Sequence, residues 1–271
     1  MAIQPTQPQG IGGVLDTAFH LYKSSFGVVW PIGLLLAIVN VLPVVYLLFV
    51  GMPSFDPVAV AGNPFGIYGD HPMALVIALL SGVLSMWVTS ALLLKQYAIG
   101  IGEEMSTGGA FQAALARLLP LFGASILFGL AVLVGLLLLI VPGLILMVSL
   151  VLYMTLLLFE NKGPIESLTG SHKLVWGNWW RSCAVLTLLS ILLFVILIAL
   201  GFVAALVIPF AGLAVADAFM VGMVMQALSN FAFYIFLGPF GSAAFIALYW
   251  DLKLRKEGGD LAARVNALSA A

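Results

Sequence analysis

The sequence predicts an all-α, polytopic membrane protein with six transmembrane helices, three interfacial amphipathic helices and both termini in the cytoplasm. Hydrophobic residues make up 63% of the 271 positions and charged residues only 8%, against about 45–50% and about 25% in soluble domains. Six apolar runs are long enough to cross a bilayer, and the basic residues fall on one side of them. A usual soluble enzyme domain is excluded, because so few polar groups could not cover its surface.

The first two spans follow an amphipathic N-terminal segment. Within residues 1–26, apolar side chains recur from Ile11 to Phe26 at the spacing of one helical face, which predicts a helix lying in the headgroup region. The run 28–50 lacks a clear signal-peptide cleavage pattern, so we expect a retained first span. The second span is 72–94, after an outer connection rich in glycine and proline.

An apolar block at 121–159 is too long for one crossing, since 39 residues make about 58 Å of helix. Pro142-Gly143 near its middle predicts two spans, 121–140 and 144–159, joined as a hairpin on the outer side. One kinked, tilted helix is the alternative. Further amphipathic helices are predicted before span 3 and, beginning at Pro164, before span 5, with Ile165, Leu168, Val175, Trp176 and Trp179 on the apolar face.

The last spans are 183–208 and 223–250, and residues 251–271 form a cytoplasmic tail, all within a single membrane domain. All ten Lys and Arg then lie in the cytoplasmic segments, with eight acids, giving +2 there. The only charged residues in the three outer connections are Asp56, Asp70 and Asp217, which gives a net charge of −3 there. Lys and Arg concentrate in cytoplasmic loops, so both termini are predicted to be cytoplasmic. An aromatic belt is expected at the inner edge of the membrane, at Trp176, Trp179, Trp180, Tyr249 and Trp250.

Few residues favour catalysis or a cofactor. The single Cys183 excludes a cysteine-based metal site, and the three histidines are predicted on both sides of the membrane. Gly170-Ser171-His172 lies on an amphipathic helix and lacks the preceding strand of a nucleophile elbow. We therefore expect no enzyme, no metal and no cofactor. The near-balance of charge also argues against a nucleic-acid partner.

Uncharged polar residues occur at depth in three spans, and they form a candidate polar cavity: Asn40, Ser85, Thr89, Gln226 and Asn230. Such groups seek partners on other helices. One interpretation is packing between helices; the other is a cavity for a lipid headgroup or a small solute.

Charged residues near the inner surface allow two further hypotheses. Glu160 at the end of span 4 either pairs with Lys162 or makes a buried contact with Arg117 or Arg181. Arg117, Lys173 and Arg181 are candidate contacts to anionic lipids, where each contributes on the order of 1 kcal/mol.

Four segments in order carry a resemblance over nearly the whole chain: IGGVLD with LYK (11–23), PGLI (142–145), the stretch from Glu160 to LVWGNWWR (174–181), and YWDLKLRKEG (249–258). Together they resemble the membrane domain fused to some bacterial glycerophosphoryl diester phosphodiesterases and the YciC-like six-span inner-membrane proteins. The resemblance implies a helical membrane domain and transfers no catalytic residue. The phosphodiesterase domain itself is missing from this sequence.

The sequence is therefore interpreted as a non-enzymatic integral protein of the bacterial inner membrane. Its expected partners are membrane lipids, with another membrane protein or a second copy of the chain as further candidates. The alternative is a transporter or exporter of a small amphiphile or lipid through the candidate polar cavity.

Overall fold

The computed structural model describes residues 3–50, 71–210 and 227–269, and these contain helices and no strand. The helices are α1 (Ile11–Val50), α2 (Pro72–Ile101), α3 (Thr107–Ala116), α4 (Leu118–Leu138), α5 (Ile140–Leu150), α6 (Tyr153–Phe159), α7 (Pro164–Val175), α8 (Trp179–Phe210) and α9 (Gly238–Ser269), with a π-helical turn at Phe233–Leu237.

Six helical runs among the described residues are long and apolar enough to cross a membrane: Ile11–Leu47, Pro72–Ile101, Leu118–Leu138, Ile140–Phe159, Trp179–Val203 and Ala227–Gly258. The all-α, six-span class predicted from composition is confirmed. The predicted first outer connection, most of the third and Gln226 lie outside the described residues.

The predicted N-terminal helix and the first span form one continuous helix, the 40-residue α1, which is about 60 Å long. The physical reason is a single buried stripe with helical spacing that runs through the predicted junction: Val14, Ala18, Leu21, Ser25 and Val29 are all fully buried. Because this stripe is buried against the rest of unit 1 on both sides of the predicted junction, the helix continues through the junction without a break.

The apolar block at 121–159 is two helices, as the hairpin prediction requires, and the single kinked helix is excluded. The break lies at Leu139, whose backbone is extended, and Pro142 sits in the first turn of α5, where a backbone N–H is not needed. Gly135 and Gly143 bring the two helices close, since a Cβ added to Gly135 would lie 2.9 Å from the Gly143 Cα.

The second arm of this hairpin is interrupted between α5 and α6, and a side chain of α7 forms hydrogen bonds with the backbone groups at this interruption. The buried Ser171 hydroxyl of α7 donates to the Ser149 carbonyl (2.9 Å) and accepts the Leu152 N–H (3.1 Å). The chain therefore holds Ser171 as a structural residue on a helix that packs alongside α5 and α6.

The predicted apolar face of α7 is partly wrong. Leu168 and Val175 are buried as predicted, but Ile165 and Trp176 are 68% and 56% exposed. The small residue Ser171 shares the buried face instead. The prediction assumed a helix lying on lipid, whereas this helix packs against protein, where small side chains allow close approach.

The chain divides into two compact units. Unit 1 comprises Met1–Val29, Ser90–Ile191 and Pro239–Ala271, and unit 2 comprises Trp30–Thr89 and Leu192–Gly238. Gly100 is a close-packed position of unit 1, because an added Cβ would lie 2.3 Å from the Trp250 ring. In unit 2, a Cβ on Gly33 would lie 2.8 Å from the Tyr234 carbonyl oxygen in the π-helical turn.

Candidate functional site

The polar end of unit 1 contains a buried acid, Asp251, at the centre of a cluster we call the Asp251 cluster (Gln9, Arg181, Asp251 and Arg255). Its Oδ2 accepts from the Nε of Arg181 at 2.9 Å and of Arg255 at 3.1 Å. Its Oδ1 accepts from the Gln9 backbone N–H at 2.8 Å. Asp251 and Arg255 are one turn apart on α9, so a single helix supplies two of the three charged groups.

The same two arginines also bind the chain just before α1. Their Nη2 atoms both donate to the Gln9 carbonyl oxygen, with a distance of 2.6 Å for Arg255. The Thr17 hydroxyl donates to the Gln9 side chain at 2.9 Å. A buried carboxylate is stable only when it is paired and hydrogen-bonded. The cluster, with a net charge of +1 from two guanidinium groups and one carboxylate, therefore holds the N-terminal segment in place.

A second group, the Glu160 cluster (Glu160, Lys162, Tyr249 and Lys253), joins α9, which carries Tyr249 and Lys253, to the segment between α6 and α7, which carries Glu160 and Lys162. Glu160 Oε1 accepts from the Tyr249 hydroxyl at 2.7 Å and from Lys253 Nζ at 3.1 Å, and Oε2 pairs with Lys162 Nζ at 2.6 Å. Burial alone would raise the pKa of Glu160, but hydrogen bonds from Lys162, Tyr249 and Lys253 outweigh it and lower the pKa from 4.5 to about 2. Glu160 is therefore an anion at physiological pH.

The structure bears on both hypotheses for Glu160. Lys162 is its partner, and the two arginines have other partners: Arg117 donates to Asn161, and Arg181 binds Asp251. The partners of Glu160 on α9, Tyr249 and Lys253, were not predicted from the sequence. The available signal was the run Tyr249 to Arg255, which places Tyr249 with Lys253, and Asp251 with Arg255, at the four-residue spacing of one helix face.

The candidate polar cavity is partly described, within unit 2. The Asn40 amide donates to the Ser85 hydroxyl at 2.9 Å and to the Leu36 carbonyl at 2.8 Å. Thr89 lies one turn beyond Ser85 on α2 and is partly buried, and Asn230 lies in the helical segment before the π-helical turn. Asn40 and Ser85 therefore join α1 to α2.

The candidate lipid contacts have different surroundings. Arg117 and Arg181 make the protein contacts given above, whereas Lys173 is exposed on α7. The three residues therefore differ in how readily they could meet a lipid headgroup.

A groove of about 420 Å³, the Trp groove, is lined by Val141, Ile145, Trp176, Gly177, Trp179 and Trp180. Trp180 is 81% exposed and Trp176 56% exposed. The Trp179 indole N–H donates to the Ile145 carbonyl at 3.4 Å. Gly177 has a φ of +96° and open space beside it, which leaves the groove unobstructed at this turn.

The Trp groove brings together two segments that the predicted topology separates. The prediction has the Pro142-Gly143 turn on the outer side and Trp179 at the inner edge, and in the structure the Trp179 indole lies beside the Ile145 carbonyl. The reason is α7, which has 12 residues and runs about 18 Å alongside α6 and α5. It carries the chain back towards the closed end of the hairpin before α8 begins.

A second groove, of about 610 Å³, lies between α4 and the start of α7 and is lined by Gly123, Ile126, Leu127 and residues 163–166. Across the described ranges, no group of three or more His, Cys, Asp or Glu side chains could hold a metal ion. Comparison of the chain with protein-family models, curated proteins and solved structures finds no match.

Proposed function

We propose that this chain is a non-enzymatic integral protein of the bacterial inner membrane that acts by binding membrane lipids, with both termini in the cytoplasm. The observation that carries the proposal is a contrast within unit 1. The charged side chains of the Asp251 and Glu160 clusters bind one another, whereas large apolar and tryptophan side chains remain exposed.

The two clusters support a structural role for the acids. Asp251 accepts three hydrogen bonds and is fully buried. Glu160 accepts from three side chains and has a lowered pKa. A general acid or base needs a pKa near the working pH and access to the substrate, and neither carboxylate offers both.

The exposed face of α4 supports contact with lipid. Large apolar side chains stand exposed along the helix: Leu119, Phe122, Ile126, Leu130, Leu133 and Leu137. A continuous apolar surface of this kind marks a membrane or protein interface. The bacterial inner membrane and the cytoplasmic termini rest on the sequence resemblance and on the distribution of Lys and Arg.

The test is gentle extraction of the full chain followed by native mass spectrometry of everything that stays bound. We expect phospholipid at a fixed stoichiometry, beyond the variable bulk lipid retained by an unrelated six-span protein treated identically. A second protein at fixed stoichiometry with only bulk lipid would overturn the proposal in favour of an accessory subunit.

A further inference from the structure

We propose that the Trp groove binds one anionic phospholipid, with an acyl chain along Val141 and Ile145 and the headgroup phosphate at Lys173 and the indole N–H groups of Trp176 and Trp180. This inference rests on the proposed function and deepens it by naming the site and the lipid class.

The groove has two chemically different walls. One is aliphatic and belongs to α5, at Val141 and Ile145; the other consists of indole rings at the junction of α7 and α8. Its volume of about 420 Å³ falls within the usual size of ligand sites, roughly 300–1,000 Å³. Indole rings combine an apolar body with one N–H donor, and they prefer the depth of lipid headgroups. The groove therefore suits a molecule that is apolar at one end and an acceptor at the other.

The depth of the groove agrees with a headgroup position. Trp180 is followed directly by Arg181, whose guanidinium lies in the Asp251 cluster at 2.9 Å from the Asp251 carboxylate. The tryptophan wall of the groove (Trp176, Trp179 and Trp180) is therefore next in the chain to a residue of the Asp251 cluster. Val141 and Ile145, on the other wall, belong to the closed end of the hairpin, which is composed of apolar residues.

Charge favours an anionic headgroup. Lys173 is exposed in the last turn of α7, and Trp176 caps the end of that helix three residues later, so the two residues are about one helical turn apart. His172 packs against Trp176, with ring centroids 5.0 Å apart. The Asp251 cluster adds a net +1, because its one carboxylate meets two guanidinium groups. A phosphodiester with one negative charge complements this surface better than a zwitterion does.

The test uses the full chain in nanodiscs of equal phosphatidylglycerol and phosphatidylethanolamine, with the retained lipid counted by native mass spectrometry. The groove variants are Lys173→Glu and the pair Trp176→Phe with Trp180→Phe, which keeps the rings apolar and removes their N–H donors. The matched controls are Lys23→Glu, an exposed lysine on α1, and Trp30→Phe, an exposed tryptophan in unit 2.

We expect the wild type and both controls to retain one phosphatidylglycerol, and Lys173→Glu to lower its occupancy about tenfold. The paired tryptophan variant should lose occupancy too. Quenching of tryptophan fluorescence by phosphatidylglycerol brominated on its acyl chains gives a second readout, and it should fall in the paired variant more than in Trp30→Phe.

Two failures can be told apart. Retained lipid that is unaffected by the groove variants, or affected equally by Lys23→Glu, overturns the Trp groove site and leaves the proposed function standing. A wild type that retains no lipid at fixed stoichiometry overturns the site and the proposed function together. Melting curves of each variant, followed by thiol labelling of Cys183, show whether a loss of lipid is a loss of folding.

Discussion

Replacing Asp251 with Asn tests whether the buried ion network holds unit 1 together. The variant keeps the size of the side chain but leaves Arg181 and Arg255 without their counter-ion. Removing one partner of a buried pair costs about 3–5 kcal/mol. The two arginine side chains are 18% and 29% exposed, so water offsets part of this cost and we expect about 2–3 kcal/mol.

Thermal unfolding in detergent can be followed with a thiol-reactive dye, because Cys183 is the chain's single cysteine, is partly buried and lies two residues after Arg181. The expected loss corresponds to a fall in Tm of about 5–10 °C. Asp16→Asn, at an exposed position of α1, is the matched control and should change the Tm little. Adding Arg181→Gln to Asp251→Asn should restore part of the loss, because one unpaired charge is removed.

The reasoning is refuted if Asp251→Asn and Asp16→Asn melt within about 1 °C of each other, since that interval is well below the shift that even 1 kcal/mol produces. Full additivity of the Asp251 and Arg181 substitutions would likewise contradict a direct interaction between them.

Three further predictions concern unit 1. Because its pKa is lowered, ionised Glu160 stabilises the fold above pH 4.5, and this stability is lost as the pH falls towards 2. The full pKa shift corresponds to about 3 kcal/mol, which solvent screening reduces to about 1–2 kcal/mol. The stability of Glu160→Gln, measured over the same acid range, should lack this loss. Gly143→Ala should lower the Tm by several degrees, because its added Cβ would lie 2.5 Å from the Leu136 side chain on the facing helix. Gly129→Ala is the control and should leave the Tm unchanged, because a Cβ there meets open space. Equal Tm values for the two variants would contradict the close approach of the two helices. Leu138→Cys in a Cys183→Ser background should resist labelling by a membrane-impermeant maleimide added on either side of the membrane, because the closed end of the hairpin is apolar and lies close to the tryptophans of the Trp groove. Labelling from the side opposite the N-terminus would contradict this prediction, because it would show that the turn reaches the water on that side.

Helix formation and span number followed from the sequence because they depend on local properties. Apolar length sets whether a helix can cross a bilayer, and Pro142 near the middle of a 39-residue block required a break. The position of the break did not follow, because proline is equally compatible with the end of one helix and the first turn of the next. The structure places it at Leu139.

The continuity of α1 needed tertiary information. Its sequence shows an amphipathic segment followed by an apolar one, which is the pattern of an interfacial helix joined to a span. Only the packing of unit 1 reveals that Leu21, Ser25 and Val29 are all buried on one stripe through the junction.

The candidate site divides in the same way. The sequence by itself determined which residues are scarce and chemically active: Glu160, Asp251, the basic side chains and the tryptophans, because in a chain with 8% charged residues each charge stands out. Only the tertiary structure decided their partners. Gln9 reaches Asp251 across 242 positions and Tyr249 reaches Glu160 across 89, and no local pattern encodes contacts of such separation. The Trp groove likewise depends on where α7 delivers the chain, which is set by the packing of Ser171 against the break between α5 and α6.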